Sequence, residues 1–314
     1  MRLDKFLADM GVGSRSDLKK AIRKSLVTVN GAVEKDPGAQ VSAEDHICFD
    51  GAEIRYAEQQ YYMLHKPAGV LSASEDRRQT TVVDLIRDVA STDASPANAS
   101  AADHHAADGH ADGSIARSTE DARVRKDLFP VGRLDKDTEG LLIITNDGPL
   151  AHQLLVPKHH IDKTYYAIVT GTITEDDQRA FTRGIRYDEK LTALPAALRV
   201  LSTGKTVAEL RRALGFTATS ERLLRTRLAG PAFIGAEEPA DITDDTLVSE
   251  VEITIQEGKF HQIKKMVKAL PGGKEILYLR RITMGALRLD PALAPGEFRK
   301  LRQEEIKILK KEIE

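Results

Sequence analysis

The chain has 314 residues, 41% apolar and 30% charged, as in ordinary globular proteins, and is long enough for two domains with cores of their own. A single cysteine, Cys48, excludes an intrachain disulfide and suits a reducing cytoplasm. No run approaches the ~18 apolar residues of a membrane span, and the N-terminus does not read as a signal peptide.

The formal net charge of −2 is unevenly spread. Ser91 to Glu120 carries −4 and Gly230 to Asp245 carries −5, so the remainder carries +7. That remainder is basic enough to offer a phosphate-binding surface.

In chain order, Leu3, Phe6, Leu7 and Met10 fall on one helical face, and Gly11 can end that helix. Ser14 or Ser16 can cap a second helix, with Leu18, Ala21 and Ile22 inward and Lys19, Lys20, Arg23 and Lys24 on the other face. Such a charge run is usually a solvated face. Val27-Thr28-Val29 alternates, and Asn30-Gly31 is a hairpin-turn signal. Val33, Val41, Ile47 and Phe49 supply further short strands. Residues 1–58 thus read as a small module of two helices and a sheet.

The second part is expected over 60–300. Tyr61 to Leu64, Leu141 to Thr145 and Tyr165 to Thr172 read as strands. Asn146 or Asp147 can cap a helix carrying Ala151, Leu154 and Leu155, and Glu175 to Arg183 reads as another helix. Val251, Ile253 and Ile255 alternate with polar residues as a half-exposed strand. His261 to Ala269 reads as a helix with Ile263, Met266 and Val267 inward, ended by Gly272-Gly273. A C-terminal helix is expected over 301–314. Strands and helices do not alternate in βαβ units, which argues against a doubly wound parallel sheet.

Two insertions interrupt this part. Residues 91–120 are rich in Ala, Ser, Asp, His and Gly and read as disordered, because they bury too little to offset ordering entropy. Asp103-His104-His105 and Asp108-Gly109-His110 have no frame to fix a metal geometry, and no metal is expected. Residues 208–246 hold Arg211, Arg212, Arg222, Arg225 and Arg227 beside several leucines: a short helix or two, touching RNA or solvated. Gly204-Lys205-Thr206 lacks the earlier glycine of a phosphate loop, since Arg199 stands there.

The most telling string is Gly132-Arg133-Leu134-Asp135-Lys136-Asp137-Thr138-Glu139-Gly140-Leu141-Leu142. A carboxylate lies between the cations Arg133 and Lys136, and opposite charge favours its ionised form. The string resembles the catalytic motif of pseudouridine synthases of the RsuA-like branch, which modifies bacterial ribosomal RNA. Lys163-Thr164-Tyr165-Tyr166 and Glu257-Gly258-Lys259-Phe260-His261-Gln262-Ile263-Lys264-Lys265-Met266 resemble that family's second and third motifs. His65-Lys66-Pro67-Ala68-Gly69-Val70 resembles the entry to the catalytic domain, and Leu279-Arg280-Arg281-Ile282 with Met284-Gly285 its closing strand. The first module resembles an S4-type RNA-binding domain, with Arg15 where a phosphate contact is common.

The resemblance implies an α+β fold: an S4-like domain, then a catalytic domain whose mixed, largely antiparallel sheet lies in two halves. It implies isomerisation of uridine to pseudouridine in RNA. The glycosidic C–N bond breaks, the uracil turns, and a C–C bond forms at C5. No redox change occurs, so no cofactor, including any nucleotide, is expected. The target base must leave its stack to be reached. Asp135 is implied as the nucleophilic carboxylate, adding to sugar or base or assisting loss of the base. Lys264 is implied to pair with it, and Tyr165 to stack under the uracil and take part in proton transfer. Arg133 would enter the vacated space. Arg15, Lys19, Lys20, Arg23, Lys24, Lys259, His261 and Gln262 are expected to meet RNA, with Ile263 and Leu279 as pocket walls. The expected partner is ribosomal RNA or a pre-ribosomal particle, met in the cytoplasm by a monomer with no membrane attachment. Small-subunit (16S) rRNA is the expected substrate. Large-subunit (23S) rRNA or tRNA is the first alternative, and a non-catalytic ribosome-assembly factor the second.

Overall fold

The computed structural model describes residues 1–54, 59–92, 124–188, 191–214 and 242–313. They fall into two compact units, Met1–Gln60 with Val83–Leu128 and Tyr61–Val82 with Phe129–Glu314.

In the first unit, α1 (Leu3–Asp9) places Leu3, Phe6, Leu7 and Met10 inward, each almost wholly buried. Each such side chain contributes roughly 1.5–3 kcal/mol relative to exposure. Gly11 follows at φ 74°, and a Cβ there would meet the Val124 carbonyl oxygen at 2.6 Å, so no other residue fits. Ser14 caps α2 (Arg15–Arg23), its Oγ accepting from the Asp17 amide at 3.2 Å. Leu18 and Ile22 are buried; Lys19, Lys20, Arg23 and Lys24 are exposed. Strands β1 (Val27–Val29) and β2 (Ala32–Val33) form a hairpin through Asn30 and Gly31, both at positive φ, as a type I′ turn requires. With β3 (Ile47–Phe49) and β4 (Ala52–Ile54) they make an antiparallel sheet in the order β2-β1-β3-β4. Val41, expected in a strand, is a buried core residue outside any strand.

The second unit is built on one sheet. Its strands are β5 (Tyr61–Lys66), β6 (Phe129–Pro130), β7 (Glu139–Thr145), β8 (Lys163–Thr170), β9 (Ala197–Thr206), β10 (Leu247–Ile255), β11 (Ile276–Met284), β12 (Leu287–Arg288) and β13 (Phe298–Lys300). The order is β13-β5-β7-β11-β8-β10-β9, with β6 on β7 and β12 on β11. Every pairing is antiparallel except β7 with β11, where Glu139 and Gly140 pair with Arg280 and Arg281. This one parallel seam joins two antiparallel halves, as the family resemblance implied. Gly140 makes the seam possible: its φ is 106°, and a Cβ would stand 2.2 Å from the Arg281 carbonyl oxygen. β7 is buried throughout, whereas β10 alternates buried and half-buried.

The helices are α3 (Val82–Thr92), α4 (Gly148–Leu155), α5 (Glu175–Arg183), α6 (Val207–Leu214), α7 (Gln262–Lys268) and α8 (Gln303–Lys311). Asp147 caps α4 by accepting from the Leu150 amide at 3.0 Å. Ala151 and Leu154 are buried, whereas Leu155 is exposed.

Three sequence expectations change. Residues 83–92 and 124–128 group with the N-terminal unit, not with the catalytic part beginning at residue 60. Arg125 shows why: its amide donates to Gln60 Oε1 at 3.0 Å, and its buried guanidinium meets Asp127 and Asp9 at 2.8 and 3.8 Å. The insertion placed at 91–120 starts two residues inside α3. The insertion placed at 208–246 starts inside α6, whose Val207 and Leu210 pack with Ile168, Val248 and Leu277. At its far end, Val207 and Ala208 donate to the carbonyls of Thr246 and Asp244. The histidine-rich stretch at 103–110 and Arg222, Arg225 and Arg227 lie outside the described residues.

Candidate active site

The candidate catalytic loop, residues 131–138, runs from β6 to β7. Ser72 clasps its middle: Oγ donates to the Leu134 carbonyl at 2.9 Å and accepts from the Leu134 amide at 3.1 Å. The Gly69 amide donates to the Lys136 carbonyl at 2.7 Å. Lys66, wholly buried, donates from Nζ to the carbonyls of Pro67, Lys136 and Thr138 at 2.9, 3.3 and 2.9 Å. Burial pushes its ammonium down to about 8, against the pull of Asp137, Glu139 and Asp135. Asp135 is therefore carried on a backbone held on both sides.

The Asp135 carboxylate remains partly open to solvent. Its Oδ2 lies 3.0 Å from Lys264 Nζ, and its Oδ1 lies 3.7 Å from His261 Nε2. The same ammonium reaches Asp137 Oδ1 at 2.6 Å. Lys136 donates to Gln79 Oε1 at 2.6 Å, and Arg133 is exposed. The cation that meets Asp135 comes from α7.

A short clasp sets the start of α7. Gln262, only 3% exposed, accepts from the Lys259 amide at 2.9 Å and donates to Glu257 Oε1 at 2.6 Å. Glu257 also accepts from the Leu194 amide and pairs with Lys259 Nζ, both at 2.9 Å. Burial pushes the Glu257 carboxyl up, yet Lys259 and the other donors hold it below its ordinary value. Gln262, grouped by sequence with the RNA-facing residues, thus faces into the protein. Lys259 is exposed but ion-paired. Ile263, Met266 and Val267 point inward, which turns Lys264 toward the two aspartates.

Tyr165, 7% exposed, lies on β8 opposite Ile253 of β10 and Arg281 of β11. Arg281 in turn pairs with Gly140, where the catalytic loop enters β7. Leu279 and Ile263 are buried. In the other unit, Arg15 and Lys19 lie 3.4 and 4.0 Å from the buried carboxylate of Asp4, and Lys20 lies 3.7 Å from Asp17. Sequence reasoning quoted Lys66, Asp137 and Phe260 inside motifs without giving them a role, and it passed over Ser72. For Ser72 no local signal exists.

The geometry can be set beside known proteins. Residues 60–269 match the RNA pseudouridylate synthase family, and residues 1–47 match the S4 domain. The chain belongs to the RNA pseudouridine synthase family. The synthase is accordingly an isomerase acting on RNA, with an S4 RNA-binding domain ahead of its catalytic domain. It is 34% identical to the uncharacterized RNA pseudouridine synthase YtzG of Bacillus subtilis (strain 168), over 98% of both chains. It is 30% identical to ribosomal small subunit pseudouridine synthase A of Pasteurella multocida (strain Pm70), over 98% of both. Ribosomal large subunit pseudouridine synthase B of Bacillus subtilis (strain 168) is also 30% identical, over 98% of this chain and 95% of that one. A crystal structure of a pseudouridylate synthase is 30% identical with a TM-score of 0.50, over 98% of this chain and 99% of that one. Among the described residues, no helix is long and apolar enough to cross a membrane.

Proposed function

We propose that the synthase isomerises a uridine of small-subunit rRNA and that Asp135 is the reacting carboxylate. The observation that carries this reading is the Lys264 ammonium 3.0 Å from Asp135, on a loop pinned by Ser72 and Lys66. A carboxylate so held keeps its position when water leaves the site, because both its backbone and one of its oxygens are fixed by hydrogen-bonded partners. Tyr165 lies under the flipped uracil, with Ile263 and Leu279 as apolar walls. Arg133, exposed on the loop, fills the space the base leaves. The reaction is redox-neutral and asks for no cofactor. The S4 unit supplies affinity through backbone phosphates. The synthase acts as a monomer in the cytoplasm, on ribosomal RNA or a pre-ribosomal particle.

The small-subunit assignment is supported by full-length similarity to relatives named for that subunit in several bacteria. The large-subunit relative of Bacillus subtilis favours a second reading, 23S rRNA. Purified protein incubated with 16S and 23S RNA, each free and in its ribosomal particle, followed by pseudouridine mapping, separates them. Product in 16S at one uridine is expected. Product only in 23S moves the substrate, and product in neither refutes the reading.

A further inference from the structure

Phe260 is 74% exposed, the most open of the exposed large hydrophobic residues among those described. Single exposed apolar residues are common and need no explanation. Phe260 differs in what surrounds it. Its ring is stacked on His261, with centroids 3.8 Å apart and planes 19° apart. His261 Nε2 is 3.7 Å from the Asp135 carboxylate, so one imidazole separates the exposed ring from the reacting group. Lys265 Nζ lies 5.5 Å from the centre of the Phe260 ring.

The stack is also held in place. His261 adopts φ 53°, a left-handed conformation that a non-glycine residue keeps only when its surroundings impose it. The Gln262–Glu257 clasp on its C-terminal side does so. An aromatic ring that is fixed, wet and flanked by a cation is what an unpaired base recognises. Stacking on such rings is tolerant of sequence because every base has a π-face. Flipping the target uridine strips its neighbours of one stacking partner, and a ring at this distance can replace it.

We propose that Phe260 is a stacking platform for a nucleobase adjoining the target uridine, with Lys265 taking that nucleotide's phosphate. The platform rests on the proposed action of Asp135 on a flipped uridine.

The test uses the full-length protein and an oligoribonucleotide spanning whichever site the pseudouridine mapping identifies. Phe260→Ala should raise KM by roughly 5- to 150-fold, the usual range for one lost base–aromatic stack, and leave kcat within about threefold. Phe260→Trp should restore KM. Because the side chain is exposed, neither variant should change Tm. An abasic nucleotide beside the target should weaken wild type similarly at one of the two flanking positions and cost Phe260→Ala nothing further. The same contrast should appear in RNA binding by Asp135→Asn with and without Phe260→Ala, which reads the platform without turnover. A KM for Phe260→Ala within twofold of wild type overturns the platform, as do abasic and Phe260 losses that add in full at both flanks. If wild type modifies neither RNA, the functional reading fails first and the platform falls with it.

Discussion

Lys264 and Asp137 meet at 2.6 Å although 127 residues separate them in the chain. Asp135 lies 3.0 Å from the same ammonium. One cation therefore serves two carboxylates, and Asp137 draws on charge that would otherwise fall on Asp135 alone. Asp135 Oδ1 faces His261 Nε2, at 3.7 Å. A carboxylate capped at one oxygen is positioned yet still able to donate electrons from the other.

Asp135→Asn removes the ionised oxygen at nearly constant volume. Pseudouridine formation should fall by at least about a thousandfold, roughly 4 kcal/mol of transition-state stabilisation, while RNA affinity persists. Turnover within tenfold of wild type would remove Asp135 from the role proposed for it.

Lys264→Met should leave Asp135 and Asp137 facing each other with their shared cation gone. Both are less than one-third exposed, so screening by water is incomplete. Removing one partner from such a cluster costs about 1–3 kcal/mol of stability, and turnover should be lost. Adding Asp137→Asn to Lys264→Met should recover part of the stability, because it relieves like-charge repulsion. It should recover no turnover. Chemical unfolding of Asp137→Asn, Lys264→Met and the double variant checks this: strictly additive effects would mean that Lys264 and Asp137 are not coupled.

What could be read from the sequence was local. The spacing of Leu3, Phe6, Leu7 and Met10, the Asn30-Gly31 pair and the alternation from Val251 to Ile255 each specify geometry within a few residues. The two-halved, largely antiparallel sheet followed from family resemblance and from no such pattern, and its strand order from neither. β9 went unseen because its exposed edge carries polar residues with Gly204 inside it. The grouping of residues 83–92 and 124–128 with the first unit depends on Arg125 reaching Gln60, which no periodicity encodes. At the site, Arg133 and Lys136 look like the partners of Asp135 because they adjoin it in sequence. The partner came instead from the third motif, known only through resemblance. Lys66 shows the same limit, since nothing in a lone lysine tells that it is buried under three carbonyls.

Stability should rise with pH between about 8 and 10. Burial pushes the Lys66 and Lys163 ammoniums down to about 8 from an ordinary 10.5. In that window the folded state has released protons that the unfolded chain still binds, so the slope is positive. Below pH 8 the full cost of burying both charges is present. Each lysine carries up to ~3 kcal/mol of this dependence. Above pH 10 the slope should reverse, because burial also pushes the Tyr166 and Tyr278 phenols well above their usual 10, and they then ionise first in the unfolded chain. Urea midpoints at pH 7, 8.5 and 9.5 measure the rise, and Lys163→Met should flatten about half of it. A falling midpoint across that window would contradict the buried-ammonium account.

The S4 unit should contribute affinity and not chemistry. Lys19, Lys20, Arg23 and Lys24 are exposed on or just after α2, on the side away from buried Leu18 and Ile22. Two of them are engaged only loosely: Lys19 lies 4.0 Å from Asp4 and Lys20 lies 3.7 Å from Asp17. Surface pairs of this kind are worth little and exchange readily for phosphate. Each phosphate a cation neutralises releases condensed counterions and steepens the dependence of binding on salt by about 0.7–0.9 in logarithmic slope. Replacing all four with alanine should flatten that slope by up to about 3 and weaken binding across RNA sequences alike, because phosphate contacts carry no base information. At saturating RNA the rate of pseudouridine formation should stay near wild type, since backbone-phosphate contacts act on binding and leave the Asp135 carboxylate unaltered. If the salt slope is unchanged and only the saturated rate falls, α2 is not an electrostatic anchor and its place in the mechanism must be redrawn.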